Sequence, residues 1–215
     1  MLAHYEDDFI EAVQYLDEDG VTRMAQVMYL LKSKRYENIW WRIENRIHEL
    51  AEFGDLDMYH VTNILRSFSR SQENQMSGSD KLFVHLEPLI MKNMAEIKPR
   101  DLSHIAYAYS IRSAGNPELY AAFEKRWLQI IAENGEESFD FPLLHNLIYY
   151  MLFTGSKNAT IWHAIIESTV TQDDVLPIIY YKPFKYSRFF LEHHFPELNL
   201  DEYVDRFYYA ERYFN

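Results

Sequence analysis

Apolar residues recur along most of this chain at steps of three, four and seven rather than at every second position, the spacing of amphipathic helices and not of strands. A short start signature stands out: an apolar residue, two variable residues, then a second apolar residue. It occurs at Val21 to Met24, Val61 to Ile64, Leu102 to Ile105, Leu144 to Leu147 and Val175 to Ile178. The copies begin 40, 41, 42 and 31 residues apart, a period that belongs to two-helix repeats.

A second signature follows each of the first four starts: an aliphatic residue, an aromatic, and an apolar residue three further on. Ile39, Trp40 and Ile43 align with Leu82, Phe83 and Leu86, with Leu119, Tyr120 and Phe123, and with Ile161, Trp162 and Ile165. Each unit therefore reads as helix A, a turn and helix B. The intervening segments "SGSD" (77–80), "AGNPE" (114–118) and "TGSKN" (154–158) supply Gly near the end of helix A and Ser or Asn to cap helix B. The spacing predicts an all-α chain: an α-solenoid of about five helix-turn-helix repeats forming a single helical-repeat domain over 1–215. Residues 5–16 form a cap helix at one end. At the other, Pro177 and Pro183 interrupt the fifth helix A, Phe189 and Phe190 only approximate the second signature, and 175–215 reads as a distorted cap.

Composition agrees with helices. The 6 Gly and 7 Pro in 215 residues are too few for the many tight turns of a sandwich or barrel. The absence of Cys excludes a disulfide scaffold, a thiolate zinc site and a Cys nucleophile. The first twenty residues hold seven acids and no Lys or Arg, unlike a secretory or transit signal. The longest apolar stretch, 141–153, contains His145 and Asn146 and is too short for a bilayer, so the chain is expected to be soluble or peripheral.

The stretch "DLSHIAYAYSIRSAGNPELYAAFEKRWLQII", 101–131, resembles the helical-pair repeats of organellar proteins: the octotricopeptide, heptatricopeptide and FAST-kinase-like repeats. The remaining units match more loosely. The resemblance implies an α-solenoid in a mitochondrion or plastid, acting either on organellar RNA or as a scaffold subunit of a large mitochondrial complex. No RAP-type domain is visible after the repeats, which favours the scaffold.

Candidate chemistry is sparse. There is no glycine-rich phosphate loop, no nucleophile elbow and no H-E-x-x-H pair. "DEDG" at 17–20 does not fit a calcium loop, because the first and last ligands would be Tyr15 and Gln26. His193 and His194 beside Glu192 point apart on a helix, and His163 with Glu167 offers too few ligands for a metal. His104 and His145, at early positions of helix A, and the Tyr pairs of "LIYYMLF" (147–153) and "IIYYKPF" (178–184) read as packing residues, the tyrosines with wet hydroxyls.

Net charge is −12, yet the charged residues in the five helix A windows are Arg23, Lys32, Arg66, Arg70, Arg112 and Lys182, with no Asp or Glu. That set is the candidate face for an anionic partner. RNA readers also need a polar code at recurring positions, and Arg23, Asn63, His104 and Asn146 do not form a legible one. The expected function is a noncatalytic adaptor: an accessory subunit of a mitochondrial assembly such as a respiratory-chain complex, ATP synthase or mitoribosome, with protein partners, no cofactor and no small-molecule substrate. The alternative is an organellar RNA-binding protein using the basic face.

Overall fold

The computed structural model describes residues 6–31, 37–69, 78–134, 139–172 and 176–206. Ten α-helices, a further helical segment at 201–206 and no strand lie among them. The helices are α1 (Glu6–Val13), α2 (Glu18–Leu31), α3 (Glu37–Phe53), α4 (Met58–Ser69), α5 (Asp80–Asn93), α6 (Pro99–Arg112), α7 (Pro117–Asn134), α8 (Phe141–Thr154), α9 (Ala159–Thr171) and α10 (Tyr181–His194). A 3₁₀ turn at Ile178–Tyr180 leads into α10, and 201–206 is again helical.

The helix starts show why the first signature repeats. Asp17, Asp57 and Asp140 each accept the backbone N–H three residues on, from Gly20, His60 and Leu143, at 2.8 to 2.9 Å. The carbonyls of Asp17, Asp57, Lys98 and Asp140 then receive the N–H of Val21, Val61, Leu102 and Leu144, the residues that open the signature. Just before each cap stands Leu16, Leu56, Ile97 or Phe139, in the hydrophobic-staple position, and the last three are buried. Where Lys98 replaces Asp, Pro99 at the first helical position presets the turn.

The chain divides into two compact units, Met1–Ile97 with Arg112–Leu119, and Lys98–Ile111 with Tyr120–Asn215. In the first unit α2 packs on α3 and α4, while α3 also packs on α1 and α5. The even and odd helices thus form two layers. Their shared core includes Val21, Ala25, Ile43, Ile47, Ile64 and Leu65, all fully buried.

In the second unit α8 packs on α9, on the 3₁₀ turn and on α10. Asn146 of α8 also bonds across to Ser103 and His104 of α6. Trp162 of α9 lies 5.3 Å from the ring of Phe190 on α10.

The glycine turns differ in detail, and the expected break at Pro183 is corrected. Gly155 does close α8 in the left-handed region (φ 65°), but at the end of α6 that conformation falls to Ser113 (φ 52°), not Gly115. Gly78 (φ 67°) sits immediately before Ser79, the N-cap of α5. Pro183 does not break a helix: it occupies the first turn of α10, where no intrahelical N–H bond is required. Phe189 and Phe190 therefore belong to this same helix rather than to a separate helix B.

Candidate macromolecule-binding face

The joints between repeats rest on a glutamate that apolar patterns do not reveal. In α3, α5 and α7, the fifth residue after the aliphatic start of the second signature is Glu44, Glu87 and Glu124. Each carboxylate accepts from the residues that open the next helix B along the chain. Glu44 takes the Ser79 N–H at 2.9 Å and also the Ser79 hydroxyl. Glu87 takes Asn116 Nδ2 at 2.7 Å. Glu124 takes the Ser156 hydroxyl and, at 3.4 Å, Asn158 Nδ2. Because an amide both donates and accepts, Asn116 and Asn158 also cap their helices, accepting from the N–H of Leu119 and Ile161. In α9 the equivalent residue is Ile166 and the series stops. Burial raises the Glu87 carboxyl above the ordinary glutamate range, opposed by its bond from Asn116.

The candidate basic set does not form one open face. Arg112 is 6% exposed: its guanidinium bonds Asp80 at 2.8 Å and the carbonyls of Phe68 and Gly78, and lies 5.0 Å from the Phe83 ring centroid. It is a clamp inside the first unit and cannot present charge to a partner. Arg23 is exposed with Asp19 at 3.8 Å, and Arg66 and Lys182 are exposed. Lys32 and Arg70 lie outside the described residues. The acid-free windows also fall short of the true helices, because α2 begins with Glu18 and Asp19 and α6 contains Asp101.

In the second unit, α6, α8 and α10 carry a different surface. Tyr107 and Tyr149 lie 5.7 Å apart, His145 meets Tyr149 at 5.0 Å and Tyr180 at 5.3 Å, and Tyr149 stacks on Phe153 at 5.7 Å with 16° between ring planes. Burial, with Tyr107 and Tyr186 nearby, raises the Tyr149 hydroxyl above its ordinary value. Phe153, Ile179, Tyr186 and Phe189 are each more than half exposed. No charged residue occurs in α8, and no acid occurs in α10 before Glu192. Arg100 and Lys182 are exposed on α6 and α10.

The Tyr pair at 149–150 divides between two roles. Tyr149 is half-buried on this surface, whereas Tyr150 is fully buried and its hydroxyl donates to the Tyr120 carbonyl at 3.2 Å rather than to solvent. The recurring polar positions are engaged internally. Asn63 accepts from Gln26 at 3.1 Å and donates to the Tyr59 carbonyl, while buried Asn146 meets His104 Nδ1 at 2.9 Å.

The first unit has a shallow depression of about 520 Å³ lined by His48, Glu52, Asp80, Lys81, Val84 and His85. The His48 and His85 rings meet edge to face at 4.6 Å, and burial followed by His85 lowers the His48 pKa against the pull of Glu44. Among the described residues no group of three or more His, Asp or Glu could hold a metal ion, and no helix is long and apolar enough to cross a membrane.

The chain is thus an all-helical protein. No protein-family model matches it, and no curated protein matches it.

Proposed function

We propose that this chain is a noncatalytic helical-repeat adaptor that holds a protein partner on the aromatic face of its second unit. One observation carries the reading: three neighbouring helical elements converge half-buried rings flanked by exposed Phe153, Tyr186 and Phe189. Clustered aromatic and apolar anchors of this kind characterise binding surfaces. The glutamate bonds, which recur from one helix B to the residues that open the next, support the helical-repeat reading. Participation in a mitochondrial assembly, as an accessory subunit, accompanies this reading on the strength of the repeat resemblance.

RNA is the weaker partner, because Asn63, His104 and Asn146 are occupied in helix-to-helix bonds rather than displayed for bases. Native extraction followed by size separation tests the adaptor reading. The chain is expected to migrate with a large complex, and migration only as a free monomer refutes it.

A further inference from the structure

We propose that the occupant of the second unit's aromatic face is an acidic, amphipathic protein segment, with apolar side chains on Phe153, Tyr186 and Phe189 and carboxylates beside Arg100 and Lys182. The inference rests on the adaptor reading and specifies its partner. The protein has 33 acids against 21 Lys and Arg, so most of its surface repels a carboxylate-rich segment. Here the balance reverses. Among the described residues the region contributes Arg100, Lys182, Lys185 and Arg188 against half-buried Asp101, Asp140 in the α8 N-cap and Glu192 beyond the rings. Arg188 is paired with Glu192 at 2.7 Å and Lys185 lies 5.6 Å over the Tyr181 ring, while Arg100 and Lys182 are exposed at helical spacing from Tyr107 and Tyr186 on their own helices.

Geometry favours a protein over a nucleic acid. Lys182, Tyr186 and Phe189 fall at helical spacing on one exposed stripe of α10, about 10 Å long at 1.5 Å per residue. A partner helix with apolar residues three and four apart can lay them along such a stripe. Ile179, 71% exposed, adds aliphatic surface that a base stack does not use. Tracking a single strand requires a cation near successive phosphates, and the two flanking cations supply no such row.

The test is site-specific photo-crosslinking in cells that naturally make the chain. The full-length protein carries p-benzoylphenylalanine at Tyr186, at Phe189 or, as a control, at Glu167, which is exposed on α9. Adducts are expected from positions 186 and 189 above the control, insensitive to ribonuclease and mapping to a segment in which Asp and Glu outnumber Lys and Arg. Reversing both charges, Arg100→Glu with Lys182→Glu, should lower adduct yield about five- to tenfold while helical circular dichroism is unchanged. Yield measured against added salt reads the same electrostatics without a variant and should fall as salt rises. A ribonuclease-sensitive adduct, a segment without acidic excess, or a yield indifferent to both charge reversal and salt overturns this inference and leaves the face as a binding site. Adducts at 186 and 189 no stronger than at 167 overturn the adaptor reading itself.

Discussion

At Gly78 in the first unit and Gly155 in the second, the backbone adopts nearly the same left-handed conformation ahead of a helix B, with φ of 67° and 65°. The surroundings differ completely. A Cβ on Gly78 would stand 2.4 Å from the Phe68 ring and 3.0 Å from Glu44 Oε2, whereas one on Gly155 meets nothing within 4 Å. The first turn is enclosed by charge: Glu44 holds Ser79, and Arg112 holds Asp80 and the Gly78 carbonyl. The second turn is open, and Glu124 reaches only the polar residues that follow it. A left-handed glycine can therefore be a packed structural joint where it enters one helix B and an open turn where it closes a helix A. The second unit instead packs its interior with rings and leaves others exposed.

Substituting the two glycines gives the sharpest test of that contrast. Gly78→Ala combines an unfavourable left-handed conformation with a clash against a buried ring, and should destabilise by about 3 kcal/mol. Gly155→Ala incurs the backbone term alone, about 1 kcal/mol. Urea unfolding of both variants checks the difference, and equal losses would mean that the enclosure of Gly78 is energetically idle.

Next in size is Arg112→Ala, which removes a buried guanidinium and strands the Phe68 carbonyl it satisfies. The Asp80 side chain is 63% exposed and can be rehydrated, so the cost should be about 2 to 3 kcal/mol rather than that of a fully buried pair. A neutral result would restore Arg112 to the candidates for partner binding. On the other side of the comparison, Tyr150→Phe deletes the hydroxyl bond to Tyr120 while keeping the ring, an expected loss of about 1 kcal/mol in the same assay.

Most of the helical frame was legible because it is local. Caps such as Asp57 and Asp140 and the signatures they precede are set by neighbours three and four residues away. What escaped depends on which neighbour arrives from afar. Arg112 looked like surface charge until Phe68, Gly78 and Asp80 closed around it from 32 to 44 residues away. Glu44, Glu87 and Glu124 recur at one position, a signal present in the sequence, but a search restricted to apolar residues passes over it. Tyr149 and Tyr150 are adjacent and chemically identical, so only the packing of α6 and α7 decides which ring reaches the candidate face and which hydroxyl is buried. The fifth repeat is hard to read because proline, which breaks a helix from within, here sits in the first turn of one.

The smallest expected effect probes whether a joint carboxylate is stabilising because it is charged or despite it. Burial raises the Glu87 carboxyl above the 4.5 of an ordinary glutamate, so the folded protein binds that proton more tightly than the unfolded chain does. Its contribution is therefore fully present below about 4.5 and is lost as pH rises through the folded value. Glu87→Gln stays neutral throughout and retains an oxygen to accept from Asn116. The variant should match the parent near pH ~4 and exceed it by less than about 1 kcal/mol near pH ~7, as read from urea unfolding at both conditions. A variant weaker than the parent near neutrality would show instead that the charged bond to Asn116 outweighs the desolvation of Glu87, and the first unit's joints would then depend on ionised glutamates.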